Sequence, residues 1–231
     1  LIMTSPSDAS LTNSSNLSEK NGSALKLYLV TDSLMCQKLG LVQTVCEAIE
    51  GGVSFVQLRD KKADDDELYQ IACELKEAIA GRVPLVSNDK VHIAKKAKLD
   101  GAHIGQGDLS VTEARQILGP DAWLGLSINT LSQLQHALNN HLDQLNYFGL
   151  GPVFATHTKP DHASPLGLSG LDDLAKASLL PTVAIGGIQL DNARQVYQTH
   201  CDGIAVVSAI CAADDPKLAA QNLLQQHLLA Q

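Results

Sequence analysis

No two cysteines in this 231-residue chain are spaced as CxxC, and the five present (Cys36, Cys46, Cys73, Cys201 and Cys211) are odd in number and widely scattered. That pattern argues against a disulfide framework and reads as reduced, mostly buried thiols in a cytosolic protein. Long apolar runs are missing as well; the longest are strand-sized, too short to cross a bilayer. Positive charge is scarce, since 17 Lys and Arg face 25 Asp and Glu for a net charge of −8. Non-specific binding to nucleic acid or to an anionic membrane is therefore disfavoured. The eight histidines show no zinc-type spacing. The expected partners are small molecules in the cytoplasm, and any phosphate chemistry must rest on a few local cations or a bound metal. Whether the chain forms a homo-oligomer is left open.

What is present is an ordinary globular composition, with 45% apolar and 18% charged residues. A chain of this size buries roughly 70% of its unfolded surface, enough to fold without a disulfide or metal. Residues 1–24 differ in kind, being rich in Ser and Asn with almost no apolar periodicity. No basic segment precedes an apolar one there, so the stretch reads as a disordered tail and not as a secretory signal.

From Leu25 to the end at 231, β-branched and apolar runs alternate with amphipathic stretches. The strands are expected at 26–31, 53–59, 83–87, 101–104, 123–127, 146–150, 182–186 and 203–207. Most are apolar throughout, as strands covered on both faces should be. Between them, segment 64–80 places Leu68, Ile71, Ala72, Leu75 and Ile79 on one helical face, with aspartates at its start and Gly81 closing its end. The last helix opens on Asp215-Pro216, a cap followed by proline at the first helical position. Eight strand–helix repeats predict a single-domain (β/α)8 TIM barrel over 25–231. A doubly wound open sheet is the alternative, but no GxGxxG follows the first strand.

Chemistry in such a barrel gathers at the C-terminal strand ends. Strand 2 ends in Gln57-Leu58-Arg59-Asp60-Lys61, where alternation puts Gln57, Arg59 and Lys61 on one face. Two cations beside an amide suit a diphosphate, although Arg59 could instead pair with a neighbouring carboxylate. Asp89 and Asp108 follow adjacent strands, and two such carboxylates suit Mg2+ held against phosphate oxygens. His103 is more simply a structural hydrogen-bonding residue. The long connection after strand 6, with Thr156, His157, Thr158 and Lys159, has the character of an anion-binding loop. Gly186-Gly187 and Val207-Ser208 end strands 7 and 8, where barrels of this class bind phosphate.

Taken in order, the strings LYLVTD (27–32), GGVSFVQLRDK (51–61), SNDK (87–90), DGAHIGQGD (100–108), GLGPVFATHTK (149–159), PLGLSGL (165–171), VAIGGI (183–188) and GIAVVSAI (203–210) resemble the thiamine phosphate synthase family. The resemblance implies that Gln57, Arg59, Lys61 and Asn88 bind an aminopyrimidine diphosphate, with Lys159 on its phosphates. It implies Mg2+ on Asp89 and Asp108, and Ser127 against the pyrimidine. Thr156, Thr158, Gly187, Val207 and Ser208 would hold a thiazole phosphate. Two positions depart from the family pattern, which commonly has an acid at Gly107 and a histidine at Asn129. The implied reaction displaces pyrophosphate from a benzylic-type carbon by the thiazole nitrogen. Arg59, Lys61 and Lys159, the residues expected to be catalytic, would stabilise the departing charge, and no general base is needed. The related thiazole tautomerases share the barrel but generally lack the diphosphate and metal residues. A non-catalytic phosphate sensor would have no reason to keep Asp89, Asp108 and Lys159 together.

Overall fold

Strands that are apolar on both faces need helices outside them and a filled interior, and a parallel sheet supplies both by closing on itself. The computed structural model, which describes residues 22–155 and 164–231, has this arrangement. Strands β1 (Leu27–Val30), β2 (Phe55–Leu58), β3 (Leu85–Asn88), β4 (Gly101–Ile104), β5 (Trp123–Ile128), β6 (Tyr147–Leu150), β7 (Thr182–Ile185) and β8 (Gly203–Val206) form a closed parallel barrel. Outside them, among the described residues, lie α1 (Leu41–Glu50), α2 (Asp65–Ile79), α3 (Val91–Lys96), α4 (Val111–Leu118), α5 (Leu131–His141), α6 (Gly167–Ala177), α7 (Leu190–Tyr197), α8 (Ser208–Cys211) and α9 (Pro216–Ala230). None of these helices is long and apolar enough to cross a membrane.

Every expected strand is present, with ends shifted by a residue or two. β3 starts at Leu85 and runs on to Asn88, because Pro84 has no N–H to give to the ladder and contributes only its carbonyl, to Val56 N. Helix α2 starts as expected: Asp64 accepts from the N–H groups of Asp66 and Glu67, and Glu67 returns a bond to Asp64 N in a capping box. Its end differs, because the left-handed turn already begins at Ala80 (φ 51), whose N–H reaches Lys76 O, before Gly81. Leu68, Ala72, Leu75 and Ile79 are buried against the barrel wall, while Ile71 is half-buried. Asp215 caps α9 by accepting from Leu218 N at 2.8 Å, with Pro216 next in line.

Two cores result. The larger lies between strands and helices, and a smaller one fills the barrel with Leu25, Tyr28, Val30, Phe55, Val86, Tyr147, Val183 and Ala205. Eight strands enclose just enough room for side chains, so large inward residues need small neighbours. Gly125 of β5 pairs with His103 on one side and Tyr147 on the other, and Gly101 pairs with Trp123. Residues 22–24 form a helical turn, and Ala24 and Leu25 pack onto this interior cluster below β1. Residues 1–21 of the Ser/Asn-rich segment lie outside the described residues.

The glycines of the wall leave no slack. A Cβ at Gly203 would lie 1.9 Å from the backbone oxygen of Leu25. Gly203→Ala should therefore destabilise the barrel by about 1–3 kcal/mol, as overpacking does, and lower the thermal midpoint by about 2–4 °C per kcal/mol. Gly107→Ala, with nothing within 4 Å of the new Cβ, is the matched control. Equal midpoints for the two variants in a calorimetric scan would contradict this account of the wall.

Candidate active site

A cavity of about 260 Å³ opens at the C-terminal strand ends. Gln57, Arg59, Asn88, Asp89, Ser127, Gly187, Val207 and Ser208, all expected from the sequence, line it together. Lys61 and Asp108 do not: both are exposed and stand outside the lining. Thr156, Thr158 and Lys159 lie outside the described residues.

Arg59 follows β2 and is held at its backbone by Thr31, whose Oγ1 accepts from Arg59 N at 2.9 Å and donates to Arg59 O at 3.1 Å. Its side chain is only 11% exposed and sits 3.8 Å from a carboxylate oxygen of Asp32. The carboxylate pairing raised by the sequence is thus present, and a single long ion pair leaves most of the five guanidinium donors unused by it. At the end of β3, Asp89 adopts a left-handed conformation (φ 58) and its N–H donates to His103 O at 2.9 Å. That turn brings Asp89 into the cavity lining beside Asn88. Asp108 is placed by its own loop, where a carboxylate oxygen accepts from Gly105 N at 2.7 Å. Asp60 is used locally, accepting from Lys62 N and Ala63 N, and lines no part of the cavity.

On the other side the backbone dominates. Gly186 (φ 105) and Gly187 (φ 67) both take conformations that favour glycine. A Cβ at Gly187 would meet Phe154 Cβ at 2.8 Å and Ala155 O at 2.9 Å. Gln189 Nε2 donates to Ser208 Oγ at 2.7 Å and ties the loop after β7 to the start of α8. Successive turns of this kind offer N–H groups to a phosphate.

The floor between the two sides is a buried polar chain. Gln57 Nε2 donates to Tyr28 Oη (2.7 Å), Tyr28 Oη meets Tyr147 Oη (2.8 Å), Tyr147 Oη meets His103 Nδ1 (3.0 Å), and His103 Nε2 meets Ser127 Oγ (2.9 Å). Burial pushes both phenols up, Tyr28 in spite of its hydrogen bonds to Tyr147 and Gln57, and Tyr147 with the further influence of Tyr28. Each therefore keeps its proton. His103 has the hydrogen-bonding role expected of it. The sequence reading missed Tyr28 and Tyr147, though strand parity marks them: Tyr28 pairs with Phe55, two residues before Gln57 on the same face, and Tyr147 lies across Gly125 from His103.

The family model for thiamine monophosphate synthase matches residues 27–210. A thiamine-phosphate synthase of Psychrobacter sp. (strain PRwf-1) is 72% identical over 211 residues, covering 91% of this chain and 99% of that one. The chain belongs to the thiamine monophosphate synthase family. A thiamine-phosphate synthase of Albidiferax ferrireducens is 43% identical over 203 residues, covering 87% of this chain and 91% of that one. Among solved structures, a thiamine phosphate pyrophosphorylase from Pyrococcus furiosus superposes with a TM-score of 0.81 at 33% identity, covering 90% of this chain and 98% of that one.

The structure gives Asn129, which departs from the usual family pattern, a clear part. Its Nδ2 donates to Gly151 O and its N–H donates to Gln133 Oε1 at 2.7 Å, so it joins the ends of β5 and β6. At Gly107 the space around Cβ is open, so the missing acid changes no packing. Asn129→Ala should leave the Gly151 carbonyl without that donor and cost about 0.5–1.5 kcal/mol. The check is chemical denaturation: an unchanged midpoint would mean that the bond contributes nothing.

Proposed function

We propose that the chain joins 4-amino-2-methyl-5-hydroxymethylpyrimidine diphosphate to 4-methyl-5-(2-phosphoethyl)thiazole, releasing thiamine phosphate and pyrophosphate. The observation that carries this reading is a single cavity lined both by Arg59, Asn88 and Asp89 and by the Gly186-Gly187 and Val207-Ser208 turns. It thus has a cationic, carboxylate-bearing side for a diphosphate and a backbone-built side for a monophosphate. In this reading Gln57, Asn88 and Ser127 bind the pyrimidine end. Arg59, Lys61 and Lys159 hold the diphosphate, while Thr156, Thr158, Gly187, Val207 and Ser208 hold the thiazole phosphate. Small, highly charged substrates of this kind are those of a cytoplasmic enzyme.

The donor set near the diphosphate side fits Mg2+, which prefers carboxylate and phosphate oxygens. Asp89 lines the cavity, and Asp108 is three residues beyond the lining residue Gly105. These two would hold the ion, which when bound neutralises charge on the diphosphate. The chain's own residues do the rest. Arg59, kept in place by Thr31 and Asp32, presents a fixed cation to the leaving oxygens, which costs no reorganisation as charge develops there. The turns after β7 and β8 hold the thiazole so that its ring nitrogen faces the carbon losing pyrophosphate. An aminopyrimidine can carry positive charge at that carbon, so the bond can break before the new one forms. The thiazole nitrogen is already a nucleophile, and no side chain has to remove a proton.

Gly187→Val places a branched side chain in a left-handed turn against Phe154 and Ala155. It should raise KM for the thiazole phosphate at least about tenfold, the effect of losing roughly 1.4 kcal/mol of binding, with little change for the pyrimidine diphosphate. Equal changes in both would move the monophosphate site elsewhere.

Asp108→Asn keeps the size of the side chain but removes one anionic ligand. Loss of a charge-stabilising group of this kind costs about 2.7–4 kcal/mol, or roughly a hundred- to a thousandfold in turnover. Added Mg2+ should restore part of the loss by mass action. Asp60→Asn, at a carboxylate committed to the turn at Lys62 and Ala63, should do little. Full activity of Asp108→Asn at low Mg2+, in an assay of pyrophosphate release, would remove the two-aspartate site.

A further inference from the structure

The buried chain beneath the cavity has a direction, and the direction follows from counting protons. Gln57 meets Tyr28 through its amide nitrogen, which can only donate. Tyr28 Oη therefore accepts there, and its own hydrogen has Tyr147 Oη at 2.8 Å as its partner. Were Tyr147 the donor instead, the Tyr28 hydrogen would face an amide nitrogen that cannot accept it. In a dry interior an unmade donor is the costly outcome. Tyr147 accepts from Tyr28, so its hydrogen goes to His103 Nδ1 at 3.0 Å. Nδ1 then carries a lone pair, and the neutral imidazole has its proton on Nε2. That proton goes to Ser127 Oγ at 2.9 Å. Ser127 lines the cavity, and its hydroxyl hydrogen is the one the chain leaves for whatever enters.

The barrel wall is built around the middle of this chain. A Cβ on Gly125 would lie 2.5 Å from both His103 Nδ1 and Tyr147 Oη, the two atoms of the central hydrogen bond. A Cβ on Gly149 would lie 2.9 Å from His103 Cε1. The two rings meet only because the strands beside them carry no side chain at these positions.

We propose that Gln57, Tyr28, Tyr147 and His103 form a positioning relay that locks His103 as its Nε2–H tautomer and turns the Ser127 hydroxyl hydrogen into the cavity as a donor. The Ser127 hydrogen then needs an acceptor, and the group set over it supplies one. With the substrate proposed above, on which this last step rests, that group is an unprotonated ring nitrogen of the pyrimidine. Tyr28, Tyr147 and His103 act through Ser127 and are positioning residues. They make the site discriminate between a ring nitrogen and an isosteric C–H at one point of the ring.

The tautomer is measured directly on the full chain labelled with [15N]histidine, the His103 signals being identified by their loss in His103→Gln. A protonated Nε2 and an unprotonated Nδ1 are expected. The reverse pattern would mean that Gln57 is turned over, the whole chain runs backwards and Ser127 is an acceptor, and it would overturn the proposal. Kinetics supply the second reading. Tyr147→Phe removes the donor to Nδ1 and should raise KM for the pyrimidine diphosphate about tenfold, the scale of one lost hydrogen bond, with KM for the thiazole phosphate unchanged. A matching rise for both substrates would show a merely structural role. On the ligand side, pyrimidine diphosphates with one ring nitrogen replaced by C–H should include one that the wild type disfavours about tenfold or more. Ser127→Ala should not disfavour it. Absence of that discrimination in the wild type would sink the donor role. If the chain made no thiamine phosphate from the two substrates, the reaction would be wrong while the tautomer measurement still judged the relay.

Discussion

An eight-stranded barrel has an interior of nearly fixed width, and everything at the mouth of this one stands on how that width is filled. Tyr28, Phe55, Trp123, Tyr147 and His103 pack edge to face or tilted, with ring centroids 4.6–6.2 Å apart. Such rings fit only where nearby strands give up a side chain, as at Gly125 and Gly149. Four of the five carry polar atoms, and burial obliges those of Tyr28, Tyr147 and His103 to find partners. They find one another, and the interior closes as a hydrogen-bonded floor.

That floor separates two kinds of site building. Below the mouth, positions are set by packing, and a displaced ring would disturb several neighbours at once. At the mouth, Arg59 and Asp89 are held mainly through their backbones, by Thr31 and by the His103 carbonyl respectively. The side lined by Gly186-Gly187 and Val207-Ser208 is built mainly from main chain, with two left-handed glycines in it.

Much of this was legible in one dimension. Strands covered on both faces are apolar throughout, so the eight strands could be read from composition, and Gln57 and Arg59 could be assigned to one face; the same alternation failed for Lys61, because β2 ends at Leu58 and Lys61 lies exposed beyond it. Asp64, Asp215 and Pro216 marked helix starts because capping is a local interaction. The conformation of Ala80 was not legible, since a left-handed turn one residue ahead of a glycine carries no signal of its own. Nor was the start of β3, where the effect of Pro84 depends on which neighbour needs its N–H.

The chain order and residue types by themselves determined the barrel and the strands whose ends line the cavity, because these follow from periodicity. Only the tertiary structure decided which of the nominated residues share one cavity, leaving Lys61 and Asp108 outside its lining. It also decided that Asn129 fastens β5 to β6, and that Gln57, Tyr28, Tyr147, His103 and Ser127 join across four strands of the barrel and the first. Such contacts depend on register and on the space left by glycines in neighbouring strands. A hydrogen bond between residues 119 positions apart, as between Tyr28 and Tyr147, leaves no trace in local sequence.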